Sequence, residues 1–355
     1  MVVESVLDAR VVVDRGEFAV DVSLSLSAGE TVAIVGPNGA GKTTVLSALA
    51  GLLPVEAGRI AVGGTVVDDP DTGVWLAAQR RNVGMVFQDY LLFPHLSALD
   101  NVAFGLRRRG WRRAAARREA ADWLKRVGLD ASAMSRKPRR LSGGQAQRVA
   151  VARSMAPEPG VLLLDEPLAA LDARTRLDMR AELHQRLNEH QGGAVVVTHD
   201  PVDALVLADR MVVVESGRVV QEGTAAEITS QPRTDYVARL VGLNLYRGLA
   251  RGTSVVLDNG MTVETGESLR GAAFVAFSPQ AVALHAVEPE GSPRNSWPVE
   301  VESLYRHGDH VRVALAGSVR LAADVTPSAA AELALSPGRR LWAAVKATEV
   351  RAYPD

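Results

Sequence analysis

A glycine-rich stretch early in the chain has the residue types and spacing of a phosphate-binding loop. The stretch G-P-N-G-A-G-K-T occupies Gly36–Thr43 and matches the spacing G-x-x-x-x-G-K-[S/T]. Glycines let the backbone turn so that successive N–H groups point inward toward an anion. The apolar run Thr31–Val35 predicts a buried strand before the loop, and V-L-S-A-L-A-G-L-L predicts a helix after it. The sequence therefore predicts a site for the phosphates of a nucleotide.

The side chains of this loop suggest separate roles. Lys42 would bring its positive charge to the β- and γ-phosphates, the Thr43 hydroxyl is placed to ligate Mg²⁺, and Thr44 can reach the α-phosphate. We therefore expect ATP and Mg²⁺ as cofactors. The other residues expected to bind the nucleotide through this loop are Gly36, Pro37, Asn38, Gly39, Ala40 and Gly41.

Two adjacent carboxylates follow a second apolar run. In V-L-L-L-D-E-P at Val161–Pro167, four apolar residues predict a buried strand that ends at Asp165 and Glu166. Asp165 would hold Mg²⁺ through water, and Glu166 would be the general base that deprotonates the attacking water. Standing alone, the motif would also suit a strand followed by an acidic turn. Together with the glycine-rich loop, it predicts nucleotide hydrolysis.

Two single polar residues also follow predicted strands. Gln88 follows V-G-M-V-F and could touch both Mg²⁺ and the attacking water, and His199 follows V-V-V-T and could contact the γ-phosphate. Either residue alone would more simply cap the end of a strand. Their order along the chain relative to the other motifs favours the functional interpretation.

The segment L-S-G-G-Q-A-Q-R at Leu141–Arg148 resembles the signature of the ATP-binding-cassette (ABC) ATPases, and A-L-D at Ala170–Asp172 resembles their D-loop. The resemblance covers roughly residues 1–235. It implies a head-to-tail homodimer in which the signature of one subunit closes on the γ-phosphate held by the other. A second anion site would then lie at the start of a helix predicted at Gln145–Met155. The residues that this implies at the interface are Ser142, Gly143, Gly144, Gln145 and Asp172.

The same family stacks an aromatic side chain on adenine, some way before the lysine of the phosphate-binding loop. Phe18 is the aromatic residue in the strand region before Gly36, so the resemblance nominates it. The alternative is an ordinary strand residue that packs in the core or lies on the surface.

Apolar periodicity predicts the elements that would position these side chains. Met1–Ser27 alternates as antiparallel strands do, and strand and helix patterns then alternate to about Thr224, which indicates an α/β P-loop NTPase fold. We expect a nucleotide-binding domain over residues 1–235, with a helical insertion at about 88–155. Short alternating segments rich in glycine predict a small all-β, OB-like C-terminal domain, made of a connecting part at 236–290 and a module at 291–355.

Composition limits the classes of function. The chain has 355 residues, a net charge of -1 and no cysteine, so it contains no disulfide, zinc–thiolate site or thiol nucleophile. No apolar stretch approaches the ~20 residues that cross a bilayer, and no targeting segment is evident. If the protein serves a membrane, we expect it on the cytoplasmic face, acting through a separate permease.

The segment after Gln88, D-Y-L-L-F-P-H-L-S, resembles the corresponding stretch of bacterial importers of small solutes. That resemblance implies permease subunits, whose short coupling helix would dock there, and an extracytoplasmic solute-binding protein. The alternative is that these residues only pack the helical insertion. The apolar residues assigned to the docking groove are Tyr90, Leu92, Phe93 and Leu96.

A run of arginines between Arg107 and Arg126 could bind nucleic acid or anionic lipid. It contains little aromatic interleaving beyond Trp111 and Trp123, which favours a solvated helix face. We therefore expect no nucleic-acid partner. A soluble cassette protein acting on a nucleic-acid machine remains the less favoured alternative.

The end of the chain resembles the molybdate-binding Mop-type module of molybdate importer ATPases. The resemblance rests on S-P-R-N at Ser292–Asn295, on the stretch Asp324–Gly338 and on W-A-A-V-K-A-T-E-V at Trp342–Val350. It implies import of molybdate or tungstate, and binding of that anion inside the cell at Ser292, Arg294 and Lys346. A β module that binds nothing, and import of sulfate, iron(III) or a polyamine, are the alternatives.

Two segments of the tail share a pattern. A-F-S-P-Q-A-V-A-L at Ala276–Leu284 is similar to A-V-K-A-T-E-V-R-A at Ala344–Ala352, and an aromatic residue lies two positions before each, Phe274 and Trp342. The sequence leaves open whether this is an internal duplication or a coincidence between two β segments.

Overall fold

A computed structural model describes residues 5–14, 16, 18–291 and 293–355. Its internal contacts divide the chain into two compact units, Met1–Ala226 and Glu227–Asp355. Within the described ranges, no helix combines the length and apolar character that a bilayer span requires.

The first unit is built on one 11-stranded sheet. Its strands are β1 Ser5–Asp14, β2 Ala19–Ser27, β3 Thr31–Val35, β4 Ala57–Val62, β5 Thr65–Asp69, β6 Val74–Trp75, β7 Val83–Val86, β8 Val161–Asp165, β9 Gly193–Val197, β10 Arg210–Glu215 and β11 Arg218–Thr224. They lie in the order β6-β5-β4-β1-β2-β11-β10-β3-β9-β8-β7. Strands β10, β3, β9, β8 and β7 are parallel, whereas β1 pairs antiparallel with both β2 and β4.

Seven helices accompany these strands in the described part of the unit. They are α1 Lys42–Ala50, α2 Ala98–Arg108, α3 Arg113–Arg126, α4 Ala131–Met134, α5 Gly143–Met155, α6 Ala173–Glu189 and α7 Pro201–Leu207. In chain order, helices α2 to α5 come after the edge strand β7 and before its neighbour β8, and they form the predicted helical insertion.

The buried strand β8 contributes to two hydrophobic cores, one on each face of the sheet. Leu162 and Leu164 pack with residues of α2, α3, α5 and α6, whereas Val161 and Leu163 pack with α1 and with the N-terminal strands. Successive strand residues point to opposite faces. A continuous apolar run is therefore what a strand covered on both sides requires.

The strand register brings the segments after four parallel strands to one edge of the sheet. Val86 of β7 pairs with Leu164 of β8, Leu164 pairs with Val196 of β9, and Ile34 of β3 pairs with Val197. The residues that directly follow these strands therefore emerge at the same carboxyl edge, where ligands of open α/β sheets bind.

The second unit is rich in β structure. After α8 Ala225–Ser230, its elements are α9 Asp235–Val241, β12 Asn244–Leu257, β13 Thr262–Phe277, β14 Ala283–His285, β15 Asn295–His307, β16 His310–Gly317, β17 Leu321–Val325, α10 Pro327–Glu332, β18 Arg340–Val345 and β19 Arg351–Pro354. The strands form two small sheets, β12-β13-β19 and β14-β18-β15-β16-β17.

The two similar segments of the tail adopt the same order of elements. Strand β13 is followed by a 3₁₀ helix at Pro279–Ala281 and by β14, and β18 is followed by a 3₁₀ helix at Ala347–Glu349 and by β19. Each short strand then joins the sheet of the other segment, because β14 pairs with β18 and β19 pairs with β13. The sequence similarity thus corresponds to an exchange of strands between the two sheets.

The predicted fold class is confirmed: an α/β cassette with a helical insertion precedes a β-rich tail. The boundary between the two units falls after Ala226 in the chain, and residues 236–290 and 291–355 both belong to the second unit. The module limits that we placed at 235 and 290 stay predictions.

Candidate nucleotide site

The predicted phosphate-binding loop joins β3 to α1. Gly39 and Gly41 have φ values of 80° and 101°, which glycine adopts without steric cost. Gly36 lies against the backbone of β10, because a Cβ at this position would overlap the carbonyl oxygen of Val214. Gly41 is the N-cap of α1, so the helix and its positive N-terminal end begin at Lys42. The glycines are therefore required by the backbone conformation that forms the loop.

The Lys42 side chain lies under this loop and is nearly buried. Its Nζ donates to the carbonyl oxygens of Gly36 at 2.7 Å and Pro37 at 2.9 Å. Burial lowers the pKa of the Lys42 amine, whereas the nearby carboxylates of Glu166 and Asp165 oppose that shift. The structure thus brings the loop lysine and the paired carboxylates of β8 into one electrostatic cluster.

A pocket of about 460 Å³ opens on the loop. Its volume lies in the range of ordinary small-molecule sites. It unites three groups that the sequence predicted separately, namely the loop, Phe18 and Glu166. The lining residues are Phe18, Asn38, Gly39, Ala40, Gly41, Lys42, Thr43, Thr44 and Glu166. Phe18 also packs partly against the core of the first unit, and its stacking on adenine stays a prediction.

The two carboxylates at the end of β8 have different surroundings. Asp165 is only 7% exposed, and burial, reinforced by Glu166, raises the pKa of its carboxyl against the effect of Lys42. Glu166 has a φ of 46°, an unfavourable left-handed conformation for a residue with a side chain. Its N–H donates to the carbonyl oxygen of Val197 in β9 at 2.9 Å, which holds the turn. Such strain is typical of functional sites.

His199 follows β9 and contacts the predicted general base. Its Nδ1 lies 3.0 Å from Oε2 of Glu166, and its side chain is 55% exposed while that of Glu166 is 17% exposed. Sequence reasoning assigned His199 to the γ-phosphate and missed this contact. No motif signals it, because the two residues are brought together only by the pairing of β8 with β9.

Gln88 lies two residues after β7 and is exposed. The parallel pairing of β7 with β8 places it at the same carboxyl edge as Asp165 and Glu166. It does not line the loop pocket formed by the described residues. Its contact with Mg²⁺ and water stays a prediction.

The signature segment forms the start of α5. Ser142 is the N-cap, its Oγ accepts from the Gln145 N–H at 3.3 Å, and the Gln145 side chain accepts from the Ser142 N–H at 3.1 Å. This reciprocal capping box makes the helix begin at Gly143, earlier than the predicted Gln145. Within the described ranges, none of the signature residues Ser142–Gln145 lines the pocket on the loop of the same chain.

Asp172 caps the next helix. Its Oδ1 accepts from the Thr175 N–H at 3.1 Å at the start of α6, and hydrogen bonding to Thr175 holds the pKa of Asp172 below its usual value. The signature helix comes close at this point, since a Cβ on Gly144 would lie 3.0 Å from the Thr175 methyl group. The signature and the predicted D-loop therefore form one surface of the chain.

The segment after Gln88 has a strained backbone and is held by hydrogen bonds from an arginine side chain. Tyr90 and Leu91 both have positive φ, at 60° and 40°. Arg153 of α5 donates to both of their carbonyl oxygens, at 2.8 and 2.7 Å, and its guanidinium lies 5.4 Å from the Phe93 ring centre. This clamp was not predicted. It ties the predicted docking segment to the signature helix.

The four residues assigned to the docking groove differ in exposure. Tyr90 is buried, and Leu92 packs partly against the core. Phe93 and Leu96 are partly exposed, and the Phe93 ring lies 4.6 Å from that of Phe104, which is 42% exposed. The segment thus both packs the insertion and leaves apolar surface open.

The predicted oxyanion donors are only partly described. Ser292 lies outside the described residues, and Arg294 is exposed. Lys346 lines a pocket of about 430 Å³ with Pro293 and Glu349, and Arg294 is not part of that lining within the described part of the tail. The structure therefore brings Lys346 near the S-P-R-N stretch and also places an acidic residue beside it.

Asn295 has a structural role that the sequence did not suggest. It is 2% exposed; its Oδ1 accepts from the Glu264 N–H at 2.7 Å, and its Nδ2 donates to the carbonyl oxygens of Glu264 at 2.9 Å and Val345 at 3.3 Å. The amide joins β13 of one sheet to β15 and β18 of the other. Asn295 thus pins the two sheets of the tail together.

Two family models match the chain. The ABC transporter model matches residues 19–169, and the TOBE domain model matches residues 291–352. The first segment contains the phosphate-binding loop, the signature and the Asp165–Glu166 pair, and the second contains the predicted oxyanion donors.

Curated relatives match over nearly the whole chain. The molybdenum import ATP-binding protein ModC of Mycobacterium tuberculosis is 42% identical over 97% of this chain and 96% of its own length. The molybdate/tungstate import ATP-binding protein WtpC of Pyrococcus abyssi is 35% identical over 96% and 97%. The Fe(3+) ions import ATP-binding protein FbpC 1 of Rhizobium meliloti is 39% identical over 92% and 90%.

A solved structure matches the first unit. The post-hydrolysis dimer of the ATP-binding cassette MJ0796 bound to ADP and Pi is 31% identical, with a TM-score of 0.53, over 62% of this chain and 98% of that one.

Proposed function

The chain belongs to the ATP-binding proteins of ABC transporters and is an importer ATPase, and from this premise we propose that it drives the uptake of molybdate or tungstate. The observation that carries the choice of solute is the full-length similarity to the molybdenum and molybdate/tungstate import proteins, which includes the TOBE tail. Because the iron(III) import relative is 39% identical, import of a different solute such as iron(III) is the competing hypothesis.

Hydrolysis would take place at the pocket on the loop. The loop N–H groups, the N-terminus of α1 and Lys42 bind the phosphates, while Phe18 covers the adenine. Water attacks the γ-phosphorus, the bond to the bridging oxygen breaks, and ADP and phosphate result. Glu166 takes the proton of the attacking water, and the contact with His199 orients its carboxylate.

The residues at the site fit a magnesium ion. Thr43, Gln88 and Asp165 would hold it, and the ion would neutralise phosphate charge during transfer. Burial and the neighbouring Glu166 carboxylate raise the pKa of Asp165 while Lys42 opposes that shift, so a bound cation would relieve the repulsion between the two carboxylates. Mg²⁺ keeps most of its ligands from phosphates and water, so a few protein oxygens beside the bound nucleotide would suffice to hold it.

A homodimer would complete the nucleotide site. The signature residues Ser142–Gln145 present a helix N-terminus but do not line the pocket of their own chain. In a head-to-tail dimer they would close on the γ-phosphate held by the partner, with Asp172 at the same interface. The dimeric post-hydrolysis state of MJ0796, bound to ADP and Pi, supports a dimer. Loss of the γ-phosphate would then open the dimer.

The permease would dock on the segment after Gln88. Phe93, Leu96 and Phe104 leave apolar surface open beside the clamp formed by Arg153, and such a groove suits a short apolar helix. This interaction would hold the ATPase on the cytoplasmic face of the membrane, below permease subunits that receive solute from an extracytoplasmic binding protein. Nucleic acid has no part in this proposal.

The tail would sense the oxyanion inside the cell. The Lys346 pocket supports this because it contains a cation beside the S-P-R-N stretch, whereas Glu349 in the same lining works against anion binding. Arg294 and Ser292 would contribute the remaining donors. Binding of molybdate would restrain ATP hydrolysis once the intracellular supply is sufficient.

Uptake of labelled solute tests the proposed transport. A strain lacking this chain should lose molybdate uptake, and the wild-type chain should restore it while Glu166→Gln should not. Unchanged molybdate uptake, together with loss of sulfate, iron(III) or polyamine uptake, would overturn the choice of solute.

Inhibition of the purified full-length ATPase by molybdate tests the sensing role separately. Combining Arg294→Ala with Lys346→Ala should abolish the inhibition. Arg339→Ala, which removes another exposed cation of the tail, should leave it intact. Inhibition that survives the double substitution would show that these residues do not form the oxyanion site.

A further inference from the structure

Arg176, in the first turn of α6, contacts the two loops that flank the nucleotide site. Its Nη2 donates to the carbonyl oxygen of Leu171 at 3.2 Å and lies 3.5 Å from that of Ala169, both in the segment before Asp172. Its Nη1 donates to Oδ2 of Asp200 at 3.2 Å. One guanidinium therefore bridges the segment Ala169–Asp172, which contains the predicted D-loop Ala170–Asp172, to the segment that contains His199.

Asp200 is held so that one of its oxygens faces Arg176. Its Oδ1 caps α7 by accepting from the N–H groups of Val202 at 2.8 Å and Asp203 at 3.3 Å, and its own N–H donates to the Thr198 hydroxyl at 3.0 Å. Oδ2 is the oxygen that accepts from Arg176. Asp200 directly follows His199, so a shift of Asp200 would move the imidazole that contacts Glu166.

A second ion pair also connects the two helices. Arg180 and Asp203 lie 2.6 Å apart between α6 and α7, with side-chain exposures of 11% and 6%, and Arg180 also lies 3.8 Å from Oδ2 of Asp200. Arg176 adds what the pair of Arg180 and Asp203 lacks, namely the hydrogen bond to the loop carbonyl. Its Nε is buried without a hydrogen-bond partner in the described structure, which costs stability.

We propose that Arg176 is a positioning residue that couples the Ala169–Asp172 loop to His199 and, through it, to Glu166. A movement of the loop on dimer closure would be passed through Arg176 and Asp200 to the imidazole. Contacts within one subunit would thus couple ATP hydrolysis to closure of the dimer. This inference rests on the proposed function, in which Asp172 lies at the dimer interface.

ATPase kinetics of the full-length chain test the coupling. Arg176→Gln should lower kcat about tenfold and leave KM for ATP nearly unchanged, because the general base loses orientation while the phosphate loop is intact. Asp200→Asn should have a similar effect, because asparagine can still cap α7 but does not offer Arg176 a negative charge. The double variant should be no slower than either single variant, which is the mark of two residues acting through one interaction.

Arg176→Lys separates bridging from simple charge pairing. Lysine can pair with Asp200 but lacks the fork that also reaches Leu171, so thermal stability should recover while kcat stays low. Arg210→Gln is the matched control. Like Arg176, Arg210 binds both carboxylate and backbone carbonyl oxygens, and its side chain is 22% exposed against 29% for Arg176, but it lies at the amino end of β10. It should lower stability without changing kcat or KM.

Two results would overturn the coupling: an unchanged kcat in Arg176→Gln, or losses in the double variant that multiply as independent effects do. Failure of the proposed function would look different. The wild-type chain would then lack ATPase activity, or Glu166→Gln would hydrolyse ATP at the wild-type rate.

Discussion

The Nδ1 atom of His199 lies 3.0 Å from Oε2 of Glu166, and Glu166 itself adopts a left-handed backbone conformation with a φ of 46°. The turn aims the carboxylate into the pocket that contains Lys42, and the imidazole limits its rotation. A base that deprotonates water must be held within hydrogen-bonding distance of that water. In the proposed mechanism, this pair of residues therefore fixes the position of the attacking water.

Glu166→Gln should lower the ATPase rate by about 100-fold or more, because the amide keeps the shape of the carboxylate but cannot accept the proton. ATP would still bind, so the variant should form an ATP-dependent dimer that is stable during size-exclusion chromatography. A variant that elutes as a monomer with ATP, or that hydrolyses at the wild-type rate, would remove Glu166 from this role.

Phe18→Ala should raise KM for ATP by about two- to tenfold, the range expected for loss of one aromatic stack. The turnover number should stay the same, because the stack binds ground state and transition state alike. Steady-state kinetics would measure both values, and Phe18→Trp should preserve KM. If KM is unchanged while the melting temperature falls, Phe18 acts only as a core residue.

Asp165→Asn should abolish hydrolysis yet stabilise the nucleotide-free protein at neutral pH. Burial raises the pKa of Asp165 above its ordinary value of 3.8. The protonated carboxyl therefore stabilises the fold fully at pH values below its pKa in the unfolded chain. This contribution is lost as the pH rises through its pKa in the folded protein. Asparagine removes the buried charge that remains at neutral pH.

Thermal unfolding of Asp165→Asn and wild-type protein from acid to neutral pH would check this prediction. The gain in melting temperature should grow with pH across the acid range and then level off. A variant that melts below the wild type at neutral pH would contradict the sign of the shift.

Asn295→Ala should destabilise the tail by about 3 kcal/mol, since it leaves the backbone groups of Glu264 and Val345 without their partner inside the protein. Arg294→Ala next to it should have almost no effect, because Arg294 is exposed. Chemical denaturation of the full-length chain would compare the two variants. Equal stability of both would refute the pinning role of Asn295.

Much of the nucleotide site could be predicted from the sequence because its motifs are local. The loop at Gly36–Thr43 and the pair Asp165–Glu166 each combine a buried strand with the polar residues that directly follow it. Parallel strands then bring those ends to one edge without further information. Phe18, which the resemblance nominates to stack on adenine, lines the pocket and also packs against the core.

The tail shows why the rest could not be predicted. The sequence predicts anion donors at Ser292 and Arg294 but gives no sign of the role of the adjacent Asn295, which the structure buries against residues that are 31 and 50 positions away in the chain. Hydrogen bonds over such separations leave no local pattern. The clamp from Arg153 to Tyr90 and Leu91, separated by 63 and 62 positions, was missed for the same reason.

The fold class and the order of the nucleotide motifs follow from the sequence alone, which also predicts the residues for phosphate binding and hydrolysis, because each depends on a few neighbouring residues. Which of those residues touch one another depends on the tertiary structure. The contact of His199 with Glu166 and the bridge from Arg176 to Asp200 arise where separate strands and helices end at a common edge. Strand register and helix packing set these distances, and both are properties of the whole fold.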